Sequence, residues 1–198
     1  LVGRPGTFAQ RGANFAVQTC DLYIAIGTRL ALTQTGYDSK DYARNARIVH
    51  VDVSDVELKK GMLRDPITIR ADAKAFIVEL DKQVGNIIEP CDGPTPWRDR
   101  CASWKARYPV VLPEYREADS PINSYVFVDA LSDALSGDEV IVTDMGLAFQ
   151  TFHQAFRNKA GQRFFTNGGM AAMGWGLPAA IGALMSVVSL ASWVARLA

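Results

Sequence analysis

The chain has no excess of either charge. Lys and Arg total 21, Asp and Glu total 21, and the formal net charge is +0 over 198 residues. That balance argues against a basic surface for nucleic acid or for an anionic membrane, so neither partner is expected. Histidine is scarce at two residues, and cysteine stands at three. Cys20, Cys91 and Cys101 form neither a paired disulfide framework nor a metal-ligand spacing. Each reads as a small buried or incidental residue in a reducing compartment, and a cytoplasmic location is expected. No apolar run is long enough to span a bilayer, and no signal peptide is visible. The first residues, LVGRPGTFAQ, carry no initiator Met and read as the inside of a folded domain.

Regular apolar patterning is present from the start. Arg11 to Thr19 reads as a short helix. Asp21 to Gly27 is an apolar run ending in Gly, the pattern of a parallel strand buried on both faces. Arg47 to Val53 is a second such strand, and Ile67 to Arg70 a third, shorter one. Ser54 with Glu57 three residues on suggests a capping box for a helix from Asp55. Asp72 suits the N-cap of a helix over Ala73 to Gln83, where Ala73, Phe76, Ile77 and Leu80 share a face. Alternating strands and helices predict an α/β fold with a doubly wound parallel sheet. In such sheets ligands sit beyond the carboxyl ends of the strands. Gly27 to Arg29, Asp52 and Asp72 fall at those ends. An acidic residue there can accept from a ribose hydroxyl, and Arg29 can meet a phosphate. Asp52 and Asp72 also read as plain turn and cap residues, the better account from spacing alone.

The Pro/Gly-rich stretch Gly85 to Pro96 reads as a linker. Trp97 to Tyr108 reads as a basic helix with Trp97, Cys101 and Trp104 on one face, docked on a domain. Pro109 to Pro121 reads as irregular chain, with Glu114, Arg116, Glu117 and Asp119 as solvated charge. Beyond it, Asn123 or Ser124 can cap a helix over Tyr125 to Leu135, with Val126, Ala130, Leu131 and Ala134 facing inward. Glu139 to Thr143 is another buried strand. It runs into Asp144-Met145-Gly146 and a helix from about Ala148 to Arg157, and such a helix start favours anions. Gln162 to Phe165 makes the next strand.

That strand delivers FFTNGGMAAMGWGLPAAIGA, Phe164 to Ala183. Gly168, Gly169, Gly174 and Gly176 leave more bare backbone than a simple corner needs, and Pro178 suits the first turn of a helix. On spacing alone this is equally a Gly-rich connection to a buried helix.

These residues resemble the cofactor loop of thiamine diphosphate (ThDP) enzymes of the acetohydroxyacid synthase (acetolactate synthase) type. IVTDMGLAFQTFHQAF, Ile141 to Phe156, stands where that family places its diphosphate-facing loop. The likeness runs in order from GRPGTFAQRGANFAV to LPAAIGA and is most specific at Met173 to Ala180. It implies a central α/β domain over residues 1–88, a linker with a helix over 89–121, and the first half of a ThDP-binding α/β domain over 122–198. It implies backbone contacts to the diphosphate at Gly146, Leu147, Ala148 and Phe149. It also implies an apolar wedge at Met173, and backbone contacts to the aminopyrimidine from the Ala171 carbonyl and the Met173 N–H. Magnesium is the implied metal, and FAD would be held at Gly27, Arg29, Asp52 and Asp72. After Gly27-Thr28-Arg29, however, the family's synthases carry further charged residues. Here Leu30 to Gly36 read LALTQTG, which removes a flavin or phosphate partner and leaves FAD open. The segment Leu30 to Val53 is more similar to acetolactate-synthase-like proteins of surface-polysaccharide gene clusters than to amino-acid biosynthetic enzymes.

The implied reaction is decarboxylation of a 2-oxo acid such as pyruvate and carboligation to a second carbonyl compound, in a homo-oligomer of at least two subunits. No catalytic or metal-ligating residue is assigned within the chain. The family's catalytic Glu belongs to an N-terminal domain, and its Gly-Asp-Gly magnesium motif with a downstream Asn is not in this sequence. The tail LMSVVSLASWVARLA after Ala183 reads as unlike the family, the mark of a frameshift, a truncation or a divergent terminus. The expectation is therefore an incomplete stretch of such an enzyme, inactive by itself. His153 is open between an acid–base role and a structural one. His50 reads as structural. Asp144 is open between bonding the loop and a solvent network. Other ThDP 2-oxo acid decarboxylases or acyltransferases, or a non-catalytic nucleotide-binding module, remain alternatives.

Overall fold

The structure, a computed structural model, describes residues 1–85, 95–117 and 121–195, with side chains described to residue 186. The linker core at 86–94, Cys91 and Asp119 lie outside the described residues, as do the tail's side chains beyond 186. The chain forms two compact units, Leu1–Pro109 and Val110–Ala198.

In the first unit, α1 (Arg11–Thr19) leads into β1 (Leu22–Ile26), and the short α2 (Leu32–Thr35) into β2 (Arg47–Asp52). Next come α3 (Asp55–Leu58), β3 (Ile67–Arg70), α4 (Ala73–Val84) and α5 (Pro96–Arg107). The strands are parallel in the order β1-β2-β3, with Ala25 opposite His50 and Asp52 opposite Arg70. Val17, Ala25, Leu30, Tyr42, Ala43, Ile48 and Leu63 form the core. Val51 is fully buried in the central strand. The outer strand β1 departs from the expectation of burial on both faces. Tyr23 and Ala25 face the core, whereas Leu22 is 51% exposed and Ile24 39%. A strand with one neighbour and one covered face keeps its alternate side chains in solvent.

The predicted capping box is also replaced. Ser54 makes no side-chain cap. Its N–H instead donates to Asp52 Oδ1 at 2.8 Å, and Glu57 pairs with Arg29 and Lys60. Those cations, Lys60 first, hold the Glu57 carboxyl below its usual range. Asp72 does cap α4, accepting from Ala75 N–H at 3.0 Å. On α4, Ala73, Phe76 and Leu80 are partly buried, but Ile77 is exposed. Helix α5 docks on α1 through Phe15, whose ring lies 5.9 Å from Trp104 and 5.3 Å from Tyr108. Cys101 is buried on that helix, and burial raises the thiol pKa of both Cys20 and Cys101, keeping them protonated.

In the second unit, α6 (Ser124–Ala134) precedes β4 (Val140–Val142), α7 (Leu147–Ala155), β5 (Arg163–Phe165) and α8 (Gly176–Ala195). β4 and β5 are parallel, with Val140 opposite Arg163 and Val142 opposite Phe165. Asn123 caps α6, accepting from Tyr125 N–H at 2.9 Å. The inner face of α6 is rotated from the predicted one. Val128 and Ser132 are buried, Val126 and Leu131 are partly buried, and Ala130 and Ala134 are exposed. Ser132, a polar residue that apolar periodicity passes over, lies on the buried face. Its hydroxyl donates to the Val128 carbonyl at 2.8 Å and accepts from Arg157 N–H at 3.1 Å. Phe152, Ala155 and Phe156 of the α7 region close the core against Val128. Pro113–Arg116 forms a 3-10 turn, and Arg116 is exposed as expected while also pairing with Asp129.

Candidate cofactor site

The site in the second unit is built where β4 ends. Thr143 N–H still donates to the Phe165 carbonyl at 3.1 Å, so the strand pair holds up to that residue. Gly146 then turns the chain with φ +81°, a conformation that glycine tolerates and most residues do not, and becomes the N-cap of α7. Leu147, Ala148 and Phe149 form the first turn, where backbone N–H groups have no intrahelical acceptor. The first turn carries no acidic residue, and nothing lies within 4 Å of where a Gly146 Cβ would stand.

The loop after β5 is held differently. Ala171 N–H donates to the Asn167 carbonyl at 2.7 Å, and Ala171 itself sits at φ +54°. A non-glycine residue there is strained, and such strain clusters at functional sites. Met170 and Met173 are 83% and 90% exposed, so packing does not fix this loop. Asp144 does. Its Oδ1 accepts from Met145 N–H at 2.7 Å and Gly174 N–H at 3.1 Å. Its Oδ2 accepts from Gly174 N–H at 3.0 Å and Gly176 N–H at 3.3 Å. Gly176 lies so close that an added Cβ would stand 2.9 Å from Asp144 N and Cβ.

Asp144 therefore joins the strand end that leads into Gly146, Leu147, Ala148 and Phe149 to the loop of Ala171 and Met173. Of its two predicted roles, bonding the loop is the one observed. The signal in the sequence was an acidic residue after an apolar strand segment, two positions before Gly146. His153 packs among aromatic rings, 4.2 Å from Phe149 and 5.7 Å from Phe164 by centroid. Phe149 in turn lies 3.3 Å from where a Gly168 Cβ would stand.

In the first unit the expected positions divide. Gly27 follows β1, Asp52 ends β2 and Asp72 caps α4 after β3, so all three stand at the carboxyl ends of adjacent strands. Gly27 N–H donates to the Val51 carbonyl at 2.9 Å, and its Cβ position would face Ala73 Cβ at 3.6 Å. Arg29 instead pairs with Glu57 at 3.3 Å and lines a cavity of about 240 Å³ with Leu30, His50, Met62, Leu63 and Pro66. His50 is buried there, its Nε2 3.3 Å from the Thr28 carbonyl.

Two sequence models of one enzyme family match the chain. "Thiamine pyrophosphate enzyme, central domain" covers residues 1–80, and "Thiamine pyrophosphate enzyme, C-terminal TPP binding domain" covers residues 144–193. The chain belongs to the thiamine pyrophosphate enzyme family. Thiamine pyrophosphate is another name for thiamine diphosphate. The second match runs past Ala183 to residue 193, so the family likeness extends into the tail that sequence reading had set apart. Among curated relatives, the acetolactate synthase large subunit of Porphyra purpurea is 31% identical over 183 residues, 92% of this chain and 30% of the relative. The probable acetolactate synthase large subunit of Methanocaldococcus jannaschii is 34% identical over 189 residues, 92% of this chain and 30% of the relative. The acetolactate synthase isozyme 1 large subunit of Escherichia coli K12 is 28% identical over 186 residues, 93% of this chain and 31% of the relative. The chain thus spans just under a third of the length of these relatives.

For a thiamine pyrophosphate enzyme the second unit offers a fitting cradle. Unshared amides at a helix start, no acidic residue in the first turn, and open space at Gly146 suit a diphosphate. Among the described residues no group of three or more His, Cys, Asp or Glu could hold a metal ion. Among the same residues no helix is long and apolar enough to cross a membrane.

Proposed function

We propose that the chain is part of an acetolactate-synthase-like enzyme that decarboxylates a 2-oxo acid and ligates the product to a second carbonyl compound. The observation that carries this is the pair of loops joined by Asp144 beside an open helix start. In this reading the first unit contains the central domain and the second the first half of the cofactor domain. Gly146, Leu147, Ala148 and Phe149 hold the diphosphate through backbone amides. Met173 would supply an apolar side chain to the cofactor, and the Ala171 carbonyl and the Met173 N–H would meet its aminopyrimidine. When bound, thiamine diphosphate supplies a nucleophilic ring carbon and a sink for the electrons released with CO2. The chain's own residues would hold that group in place through backbone amides and the Ala171 carbonyl.

Magnesium would neutralise the diphosphate. The described residues do not fit it as ligands, so its site is proposed to lie in the part of the relatives that the chain does not span. FAD, expected at Gly27, Arg29, Asp52 and Asp72, meets residues that do not fit its phosphates. The grouped positions bring two carboxylates, each already accepting a backbone N–H, and Arg29 is paired with Glu57. No step is assigned to a flavin. The enzyme is further proposed to be cytoplasmic and at least a dimer, working in branched-chain amino acid synthesis or in a related carboligation.

Thermal unfolding of the chain with thiamine diphosphate and Mg2+ tests the reading. Ligand at a hundred times its dissociation constant adds about 2.7 kcal/mol of stability. Stabilisation by thiamine diphosphate supports the proposal. Stabilisation by ADP or FAD alone would replace it with a nucleotide-binding module.

A further inference from the structure

We propose that Asp144 is a positioning residue that fixes the Met173 loop relative to the start of α7. The proposal rests on the thiamine diphosphate reading above and adds a role that the cofactor contacts do not contain. An ionised carboxylate only accepts, and its two oxygens here meet three backbone N–H groups, those of Met145, Gly174 and Gly176. Charge-assisted bonds of this kind are roughly twice as strong as neutral ones. Both glycines are shaped to the tie. Gly174 takes φ +81°, and a side chain at Gly176 would collide with Asp144. The loop has little side-chain packing to hold it, since Met170 and Met173 are exposed and nothing lies within 4 Å of where a Cβ on Gly169 or Gly174 would stand. The residue after Met173 and the first residue of α8 are thereby anchored to the end of β4. The carboxylate also sits at the N-terminal end of α8, where the helix dipole favours a negative charge.

The test is amide hydrogen exchange on the full chain, comparing wild type with Asp144→Ala and Asp144→Asn. The expected result is exchange over residues 171–176 about tenfold faster or more in Asp144→Ala, with α6 and β4 amides unchanged. Asp144→Asn keeps one carbonyl oxygen and falls between. Should Asp144→Ala lose protection in α6 as well, the isosteric Asn variant decides. Unchanged exchange over 171–176 in a folded variant overturns the proposal. Affinities separate positioning from general support. Asp144→Asn should weaken thiamine diphosphate about tenfold and leave inorganic diphosphate, which needs only the amides at the start of α7, within about twofold. An equal loss for both ligands overturns the positioning role. If wild type takes up neither ligand, the functional reading fails, and exchange in the ligand-free chain still decides whether Asp144 is the tie.

Discussion

Two glycines on one helix should respond in opposite directions to the same added methyl group. Gly176 opens α8, and its Cβ position is 2.9 Å from both the nitrogen and the Cβ of Asp144. Neither atom is the far end of a flexible side chain, so backbone has to move. Overpacking of this kind costs about 1–3 kcal/mol. The shift also lengthens the bonds from Gly174 and Gly176 to the Asp144 carboxylate, where bonds to a charged group contribute about 1.5–3 kcal/mol. Against this stands the helix preference of Ala over Gly, at most about 1 kcal/mol and smaller at a first turn. Gly176→Ala is therefore destabilising by about 1–3 kcal/mol. For a unit of this size that lowers the melting temperature by about 5–15 °C. Gly182 lies on the same helix with nothing within 4 Å of its Cβ position. Gly182→Ala keeps only the helix preference, so it raises the melting temperature by up to about 5 °C. Circular dichroism melts of the three chains read both effects. A rise for Gly176→Ala matching that of Gly182→Ala would refute the close approach of Asp144 and the tie built on it.

Two other predictions follow from the second unit. Glu139 accepts from Gln162 Nε2 at 2.9 Å, from Ser136, and from Gly137 N–H at 3.0 Å, and these bonds hold its carboxyl well below the usual range. Its stabilising contribution is full above the ordinary Glu value of 4.5 and is lost as pH falls below it toward the depressed value. Glu139→Gln should flatten the loss of stability under acid. An acid profile identical to wild type from about pH 4.5 down to about pH 2 would count against this. Phe152 is buried with ring centroids 5.1 Å from Phe156 and 5.9 Å from Phe164. Phe152→Ala should cost the second unit about 3–5 kcal/mol, read by exchange of α6 and α7 amides in urea. A loss under about 1 kcal/mol would show that these rings do not carry the core.

The strands were legible because parallel strands write themselves as apolar runs, and β1, β2 and β3 fall inside the predicted segments. Asp72 was legible as a cap because its partner, Ala75 N–H, is local. Burial was harder to read. Leu22 and Ile24 are as apolar as Ile48 and Val51, and only the strand's place in the sheet leaves them exposed. Ser132 was missed because its burial depends on Arg157, 25 residues away. At the site, the two loops could be named from their residues, but not the link between them. Asp144 and Gly174 are 30 residues apart, and no local pattern announces their bond. Ser54 and Glu57 have the spacing of a capping box, yet Asp52 takes the nearby amide and two cations take the glutamate. Local spacing fixes which groups are near, and tertiary competition decides which of them pair.

The parallel pairing of β4 with β5 also bears on how the second unit assembles. Val140 and Arg163 meet only after the chain between them has closed on itself. For about twenty residues that closure carries an entropy cost near 2.7 kcal/mol plus a constant. Three ladder positions on each strand return little of it by themselves. Helix α7 lies inside that span and forms in about a microsecond, bringing Phe152 and Phe156 against Val128 of α6. This order of closure predicts that the helix pair acts as the nucleus and that the sheet closes late. Core substitutions in α6 and α7 should then slow refolding, with φ-values above about 0.5, and those in β5 should mainly speed unfolding, with values below about 0.3; chevron kinetics with the reverse pattern would refute this order.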